Sequence, residues 1–186
     1  CVGCLACEPA CPANVPYGEI LEQVRHQHVE QSRAKPPISL RLAAALTSKP
    51  WLFNLAMMPV RWLRTLGILP HRFLFAGRPA LTESTAQYAE RLMKQHQPTG
   101  PKVALLTGCL MEAAFREINF ATVRVLIENN VQVIIPPEQG CCGAFQEHLG
   151  LDGVDAMRAR NRRAFEPLDL DAIVCNSSGC GLALSK

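Results

Sequence analysis

The chain has 186 residues, 48% of them hydrophobic, which is the length of one domain with a small appendage and enough apolar side chains for a core. Its formal net charge is only +3, and its 11 aromatic residues do not alternate with basic runs. This composition argues against a nucleic-acid partner, because such a partner requires concentrated positive charge beside side chains that stack on bases.

Nine cysteines are present, an odd number that cannot all form disulfides with one another. Several lie too close together in the sequence to link distant segments, but their spacing suits convergence on a metal. We therefore expect a cytoplasmic protein in a reducing compartment. No signal-peptide pattern is visible, and the absence of an initiator Met predicts that an N-terminal portion is missing.

The chain opens on CVGCLACEPACP, in which four cysteines precede a proline. The spacing C-x2-C-x2-C-x3-C-P is typical of bacterial ferredoxins, where three thiolates bind one cluster and the fourth binds the other cluster of a pair. Zinc is the competing metal, but it would require paired cysteines or nearby histidines. We therefore predict a [4Fe-4S] ligand set in this run: Cys1, Cys4, Cys7 and Cys11. Because the other ligands of two clusters must lie upstream, residues 1–34 are predicted to be the C-terminal half of a ferredoxin-type module.

A helix is predicted after this run, in VPYGEILEQVRHQHVEQSR, since Pro16 suits the first turn of a helix. One face of it is apolar, at Tyr17, Ile20, Leu21 and Val24, and we expect this face to pack beneath the cluster. His26 and His28, near its end, are expected to be solvated and not to bind metal.

Residues 35–100 are expected to form helices of roughly 8 to 15 residues, because prolines cut this region. These prolines are Pro36, Pro37, Pro50, Pro59, Pro70, Pro79 and Pro98. The longest uncharged run through the apolar stretch 51–69 begins at Pro50 and has 11 residues, too short to cross a bilayer. We interpret it as a helix pair that covers the cluster module. The alternative is a docking face for a partner subunit or the membrane surface, with Trp51 and Trp62 at the boundary and with Arg61, Arg64 and Arg72 on the headgroups.

From residue 101 the sequence alternates between strand and helix patterns, predicted at 103–107, 112–129, 131–135, 152–165 and 171–175. This order predicts an α/β fold with a parallel sheet, preceded by an α-helical N-terminal part. The side chains expected to face inward are Phe115, Ile118, Val123, Leu126, Ile127, Met157 and Phe165. Those expected to point mostly outward are Arg158, Arg160, Arg162 and Arg163.

All five remaining cysteines follow predicted strands, at Cys109, Cys141, Cys142, Cys175 and Cys180. Sites in parallel sheets form beyond the carboxyl ends of the strands. Glycines flank the pair Cys141–Cys142 and also Cys180, which lets the backbone approach a bound group closely. We therefore predict a second metal centre at this edge, while Cys175 suits the core as a small apolar side chain.

The spacing of these cysteines resembles the cysteine-rich CCG domain, with 31 residues between Cys109 and Cys141 and 37 between Cys142 and Cys180. That domain is found in a subunit of heterodisulfide reductase, in the iron–sulfur subunit of anaerobic glycerol-3-phosphate dehydrogenase and in lactate-utilisation proteins. Together with GCLMEAAF, PPEQGCCGAFQEHLG and NSSGCG, the opening run makes nearly the whole chain resemble the iron–sulfur subunit of glycolate oxidase (glycolate dehydrogenase).

The resemblance implies that a further iron–sulfur centre is held by Cys109, Cys141, Cys142 and Cys180. It departs from the fullest CCG motif at Ser177, where that motif has a cysteine, and a hydroxyl is a poor iron ligand beside thiolates. The family carries two CCG repeats and this chain has one, so the C-terminal end is expected to be truncated. Because the other cluster ligands must lie upstream of Cys1, the same is expected of the N-terminal end. The implied organisation is a helical linker over residues 35–100 and the first CCG domain over residues 101–186.

The implied function is electron transfer in a flavin-linked 2-hydroxy-acid dehydrogenase. A flavoprotein partner would oxidise glycolate to glyoxylate, and this subunit would pass the electrons toward a quinone-type acceptor. No G-x-G-x-x-G follows a strand, so the hydride chemistry is expected on another subunit. Lactate or glycerol-3-phosphate as substrate, a heterodisulfide-reductase-like CCG protein and a zinc-stabilised interaction module are the alternatives.

Two details stay open. His148, six residues beyond Cys142, either orients a ligand or carries protons at the CCG site, or it caps a loop. A peripheral position on the inner face of the cell membrane is the alternative to a purely cytoplasmic one.

Overall fold

The computed structural model describes residues 7–31, 35–68 and 83–185, except for the side chains of Arg64 and Thr65. Cys1, Cys4, Pro70, Arg72 and Pro79 lie outside the described residues. The predicted fold class is confirmed, because a helical N-terminal part precedes a three-stranded parallel sheet with helices.

In the described part of the N-terminal region, four helices precede the sheet: α1 (Tyr17–Glu30), α2 (Ile38–Thr47), α3 (Pro50–Thr65) and α4 (Thr85–His96). The helix predicted after the opening cysteines is confirmed as α1, which begins directly after Pro16. The expectation that prolines separate the helices is wrong at Pro59, which lies inside α3. Pro59 is exposed, so water can bond the carbonyl that loses its helical donor. Within the described segments, no helix combines the length and the apolarity that crossing a membrane requires.

The α/β part consists of three strands and five helices in the described residues. In chain order these are β1 (Lys102–Leu106), α5 (Cys109–Ala114), α6 (Arg116–Glu128), β2 (Gln132–Ile134), α7 (Ala144–His148), α8 (Val154–Phe165), β3 (Ala172–Cys175) and α9 (Ser178–Ser185). β1 lies in the middle and pairs in parallel with both β2 and β3. All three strands therefore end at the same edge.

The single helix predicted over residues 112–129 is wrong, since α5 and α6 replace it. Phe115 separates them with φ −127° and ψ 33°, which are not helical angles. As a result α5 is an independent short helix whose first residue is Cys109.

The hydrophobic core has two halves, one on each face of β1. Leu105 points to the first half, where α4 and α6 contribute Ala89, Leu92, Val123 and Ile127. Ala104 and Leu106 point to the second half, where they pack with Cys142, Phe165 and Ala183. Val123, Ile127 and Phe165 are buried as predicted, whereas the prediction for Ile118 is wrong, because it is 40% exposed. α4 thus shares its core with the sheet, although it precedes β1 in the sequence.

The helix α1 docks on the α/β part beside Gly150. Gly150 has φ +68°, and a Cβ added to it would lie 2.8 Å from the Arg25 carbonyl oxygen, so only glycine fits this close approach. Next to it, His26 Nε2 lies 2.8 Å from Asp152 Oδ1, and this hydrogen bond raises the pKa of His26. The apolar face of α1 is not buried by this contact: Tyr17, Ile20 and Val24 remain more than 40% exposed.

The two valines of α6 provide a matched test of this core. Val123 is fully buried and Val125 is 59% exposed in the same helix. Val123→Ala is expected to lower the free energy of unfolding by about 2 kcal/mol through lost burial and a residual cavity. Val125→Ala is expected to change it by less than about 0.5 kcal/mol. Urea unfolding without air measures both values, and equal effects would contradict the assigned inner face of α6.

Candidate metal centre

Four of the cysteines meet at the carboxyl edge of the sheet. Cys109 is the first residue of α5, after β1, and Cys141 and Cys142 lie in the loop between β2 and α7. Cys180 lies in the first turn of α9, after β3. The sulfurs form two close pairs: Cys109 Sγ is 3.6 Å from Cys141 Sγ, and Cys142 Sγ is 3.2 Å from Cys180 Sγ. Parallel pairing with short connections therefore brings together thiols that are up to 71 residues apart in the sequence.

The hydrogen bonds between the thiols shift their pKa values. Cys141 and Cys142 are nearly fully buried, and Cys109 and Cys180 are half-buried. A hydrogen bond with Cys141 lowers the pKa of Cys109, and hydrogen bonds with Cys141 and Cys180 lower the pKa of Cys142 to about 3. The partners respond in the opposite direction, because the bond to Cys109 raises the pKa of Cys141 and the bond to Cys142 raises that of Cys180. In each pair the hydrogen bond therefore favours the thiolate of one cysteine and the protonated thiol of the other.

A buried asparagine fixes the loop that carries the adjacent cysteines. Asn161 in α8 is fully buried, and its Oδ1 accepts a hydrogen bond of 2.8 Å from the Gly140 N–H. Its Nδ2 donates to the Cys141 carbonyl oxygen at 3.1 Å. One side chain therefore holds the backbone N–H of Gly140 and the backbone carbonyl of Cys141, which lie on either side of the peptide bond between these two residues.

A second amide joins this loop to the end of β1. Gln139 Oε1 accepts from the Thr107 N–H at 2.9 Å, and its Nε2 donates to the Leu105 carbonyl at 3.2 Å. Thr107 lies two residues before Cys109, so Gln139 sets the spacing between the first and second cysteine segments.

The third cysteine segment is attached in the same way. Asn119 is fully buried, and its Nδ2 donates to the Thr107 carbonyl at 3.0 Å. Its Oδ1 accepts from Asn176 Nδ2 at 2.8 Å. Since Asn176 immediately precedes Ser177, a side chain of α6 connects the ends of β1 and β3 directly.

Ser177, which stands where the fullest CCG motif has a cysteine, lies against Cys180. A hydrogen bond between its side chain and Cys180 favours the thiolate of Cys180 and partly offsets the rise in its pKa. Cys175, expected in the core, is half-buried and packs on the second half of the core, with its Sγ 3.4 Å from the Ser177 carbonyl oxygen. His148 ends α7, and its Nδ1 is buried without a hydrogen-bond partner among the described residues.

At the N-terminal run the structure describes only Cys7, which is exposed, and Cys11, which is half-exposed. Backbone N–H groups of Val15, Ala13 and Asn14 lower the pKa of Cys11. These donors favour the thiolate, which is the form that binds metal. Cys1 and Cys4 belong to the part of the chain that the structure does not describe.

The donor chemistry of the CCG residues fits an iron–sulfur centre. They provide four thiols, two of them shifted toward the thiolate, and thiolate is the ligand that iron–sulfur centres use. The glycine after them, Gly143, has φ +85°, and a Cβ there would meet Val154 Cγ1 at 3.0 Å. In the segments that the structure describes, the thiols stand as two pairs, and no three side chains of His, Cys, Asp or Glu are placed to hold one metal ion.

Sequence reasoning missed the amides that position these thiols. Gln139 and Gln146 lie on either side of the sequence GCCG, and this proximity was the one signal in the sequence that could have indicated their contact with the cysteine loop. Asn161 lies in an arginine-rich helix, and Asn119 lies between apolar residues, so neither stood out by its surroundings. Their roles depend on which faces α8 and α6 turn toward the strand ends.

Residues 103–185 match the protein family described as CCG, cysteine-rich domain. The chain is also 34% identical over its full length to a probable glycolate oxidase iron–sulfur subunit of Bacillus subtilis, and 30% identical over 97% of its length to the glycolate oxidase iron–sulfur subunit of Escherichia coli. It spans 46% and 44% of those two proteins. The resemblance inferred from the cysteine motifs is thereby confirmed.

A third relative matches a smaller part. One subunit of the CoM/CoB fumarate reductase of Methanothermobacter marburgensis is 38% identical over 48% of this chain, which is 18% of that protein. No solved structure matches the chain.

The paired thiols predict a specific oxidation product. When the metal-free protein is treated with a disulfide-forming oxidant such as diamide, each pair should lose two protons and two electrons to the oxidant. We expect the disulfides Cys109–Cys141 and Cys142–Cys180, because these sulfurs are already 3.6 and 3.2 Å apart.

Peptide mapping by mass spectrometry identifies the bonds. Cys180→Ser should leave Cys142 unpaired and keep the other disulfide. A dominant bond between Cys175 and Cys180, or between the adjacent Cys141 and Cys142, would contradict the pairing.

Proposed function

We propose that this chain is part of an iron–sulfur electron-transfer subunit of a flavin-linked 2-hydroxy-acid dehydrogenase. The observation that carries the proposal is the convergence of four thiols from three strand ends into two close pairs. The glycolate oxidase iron–sulfur subunits that resemble the chain point to the same role. Because the chain spans less than half of each, the activity of the whole protein is part of the proposal.

We assign two kinds of centre to the chain. The first is the [4Fe-4S] ligand run Cys1, Cys4, Cys7 and Cys11 in a half-module over residues 1–34. The second is an iron–sulfur centre on Cys109, Cys141, Cys142 and Cys180, in the CCG domain over residues 101–186, with residues 35–100 as the helical linker. Iron–sulfur centres supply one-electron chemistry when bound.

The chain's own groups prepare these sites. At the CCG edge, Cys109 and Cys142 favour the thiolate, and Asn161 and Gln139 hold the loop in place. Ser177 places a hydroxyl against Cys180, where it stabilises the negative charge of a thiolate. Side chains that fix and hydrogen-bond a ligand in this way tune its properties.

The proposed electron source is a flavoprotein partner that oxidises glycolate to glyoxylate, and the proposed acceptor is a quinone. Lactate and glycerol-3-phosphate are the alternative substrates. A part of the chain, 48% of its length, also resembles a subunit of a CoM/CoB fumarate reductase. We therefore propose that the choice of substrate belongs to other subunits.

The charge distribution supports a peripheral contact with an anionic membrane surface. Residues 31–82 contain eight Lys and Arg and no Asp or Glu, whereas the rest of the chain has 11 Lys and Arg against 16 Asp and Glu. In this basic region α3 exposes an apolar stripe at spacings of three and four residues, formed by Trp51, Leu55, Met58 and Trp62. Arg61, one of these eight, is 7% exposed and donates to the Ala113 carbonyl, so the expectation that it meets headgroups is wrong. Tryptophans on an apolar helix face in a basic region are typical of helices that lie in a membrane interface.

Vesicle binding tests this contact. The full-length protein should bind vesicles that contain phosphatidylglycerol and not vesicles of phosphatidylcholine alone, and salt should weaken the binding. Replacing Trp51 and Trp62 by Ser should reduce binding about tenfold or more. The matched control replaces two exposed apolar residues elsewhere, Val125 and Ile173, by Ser. Equal losses in both variants, or equal binding to neutral vesicles, would contradict the assigned face.

The iron–sulfur assignment is tested by metal analysis of the full-length protein purified without air. We expect iron, acid-labile sulfide and a low-temperature EPR signal after reduction. Cys109→Ala should remove the iron of the CCG centre, since it deletes a ligand, and Cys11→Ala should remove only iron of the ferredoxin-type module. Cys175→Ala is the matched control and should keep all iron. Stoichiometric zinc, or full iron in Cys109→Ala, would contradict the assignment.

A further inference from the structure

The side chain of Gln146 connects the CCG loop with a helix about 100 residues earlier in the chain. Gln146 lies in α7, five residues after Cys141, and is 2% exposed. Its Oε1 is 3.8 Å from Cys141 Sγ, and its Nε2 is 2.8 Å from the Ala44 carbonyl oxygen at the end of α2. One buried amide thus contacts both an assigned ligand and the last turn of α2.

The orientation of this amide is fixed by the groups around it. The Ala44 carbonyl can only accept, and it already accepts from the hydroxyls of Thr47 at 3.0 Å and Ser48 at 2.7 Å. Exchanging Oε1 and Nε2 would put two acceptors 2.8 Å apart, so the nitrogen must face α2. The oxygen is then forced to face the sulfur of Cys141.

The surroundings also show that this contact is specific. Nε2 lies 3.1 Å from Thr47 Oγ1 and 3.0 Å from Ser48 Oγ, so its two hydrogens have three acceptors in the last turn of α2. Ala44 and Thr47 are themselves buried. A buried amide whose N–H groups are both engaged keeps its oxygen in one position relative to its neighbours.

We propose that Gln146 is a positioning residue, which fixes the Cys141 sulfur relative to the end of α2 and makes the CCG centre sensitive to the docking of that helix. The link to the centre rests on the proposed function, because it requires Cys141 to be a ligand. Outer groups that orient a ligand typically change metal affinity by about 10- to 100-fold when they are removed.

The test compares Gln146→Met, which keeps the volume and removes the amide, with Gln132→Met. Gln132 is a matched control because its Nε2 also donates to a backbone carbonyl, that of Gly100 at 2.8 Å, but at the opposite edge of the sheet. In the metal-free full-length protein, Gln146→Met should increase the alkylation rate of Cys141 about tenfold, the factor expected for the loss of one hydrogen bond, and Gln132→Met should not.

The iron-loaded protein provides the second readout. Gln146→Met should release the iron of the CCG centre to a chelator about tenfold faster than wild type and should shift the EPR g values of that centre alone. Thr47→Val combined with Ser48→Ala should shift the same signal. Adding Gln146→Met to that pair should cause little further change, because the double variant and Gln146→Met weaken the same contact between Gln146 and the end of α2.

The outcomes separate the two proposals. If Cys141 alkylation responds but the wild-type CCG site holds no iron, the proposed function fails and the positioning of Cys141 stands. If the site holds iron and neither alkylation nor the EPR signal responds to Gln146→Met, the positioning role is overturned. Equal responses in Gln146→Met and Gln132→Met would show that both variants act through a general loss of stability, and they would also overturn the positioning role of Gln146.

Discussion

The candidate centre depends on the parallel pairing of β1 with both of its neighbours. Backbone hydrogen bonds place the ends of β1, β2 and β3 at one edge, and each strand leads within a few residues to a cysteine segment. Since β1 is central and its side chains are buried on both faces, a change in its register would move Cys109 away from Cys141 and would disturb both halves of the core. Hydrophobic burial and the placement of the thiols are therefore the same constraint.

Buried amides then convert three neighbouring loops into one rigid unit. Asn161, Gln139 and Asn119 each bond to two different backbone or side-chain groups. Gln139 connects the second cysteine segment to the end of β1, and Asn119 connects the third cysteine segment to the same strand end. Asn161 and Asn119 are fully buried, so a lost partner of either would leave an unsatisfied polar group in the core. The cost of such a loss explains how loops, which are normally mobile, can hold four thiols in fixed positions.

The sequence was sufficient for the fold class, the three strands and the identity of the clustered cysteines, because strand patterns and the rule for parallel sheets are local signals. It did not reveal the break at Phe115, since the residues on both sides favour helix and only the backbone angles show the interruption. It also missed Asn161 and Gln146, whose backbone partners are 20 to 102 residues away. Tertiary hydrogen bonds of this length leave no periodic pattern in a sequence.

The packing of α4 has a consequence for where the domain begins. The family match starts at residue 103, but Ala89 and Leu92 of α4 complete the core on one face of β1, and Ser84 caps this helix through a hydrogen bond with the Gln87 N–H. A chain cut just before the match would leave Leu105 and Val133 without that cover. The folding unit is thus larger than the stretch that defines the family, and its true start lies at or before residue 84.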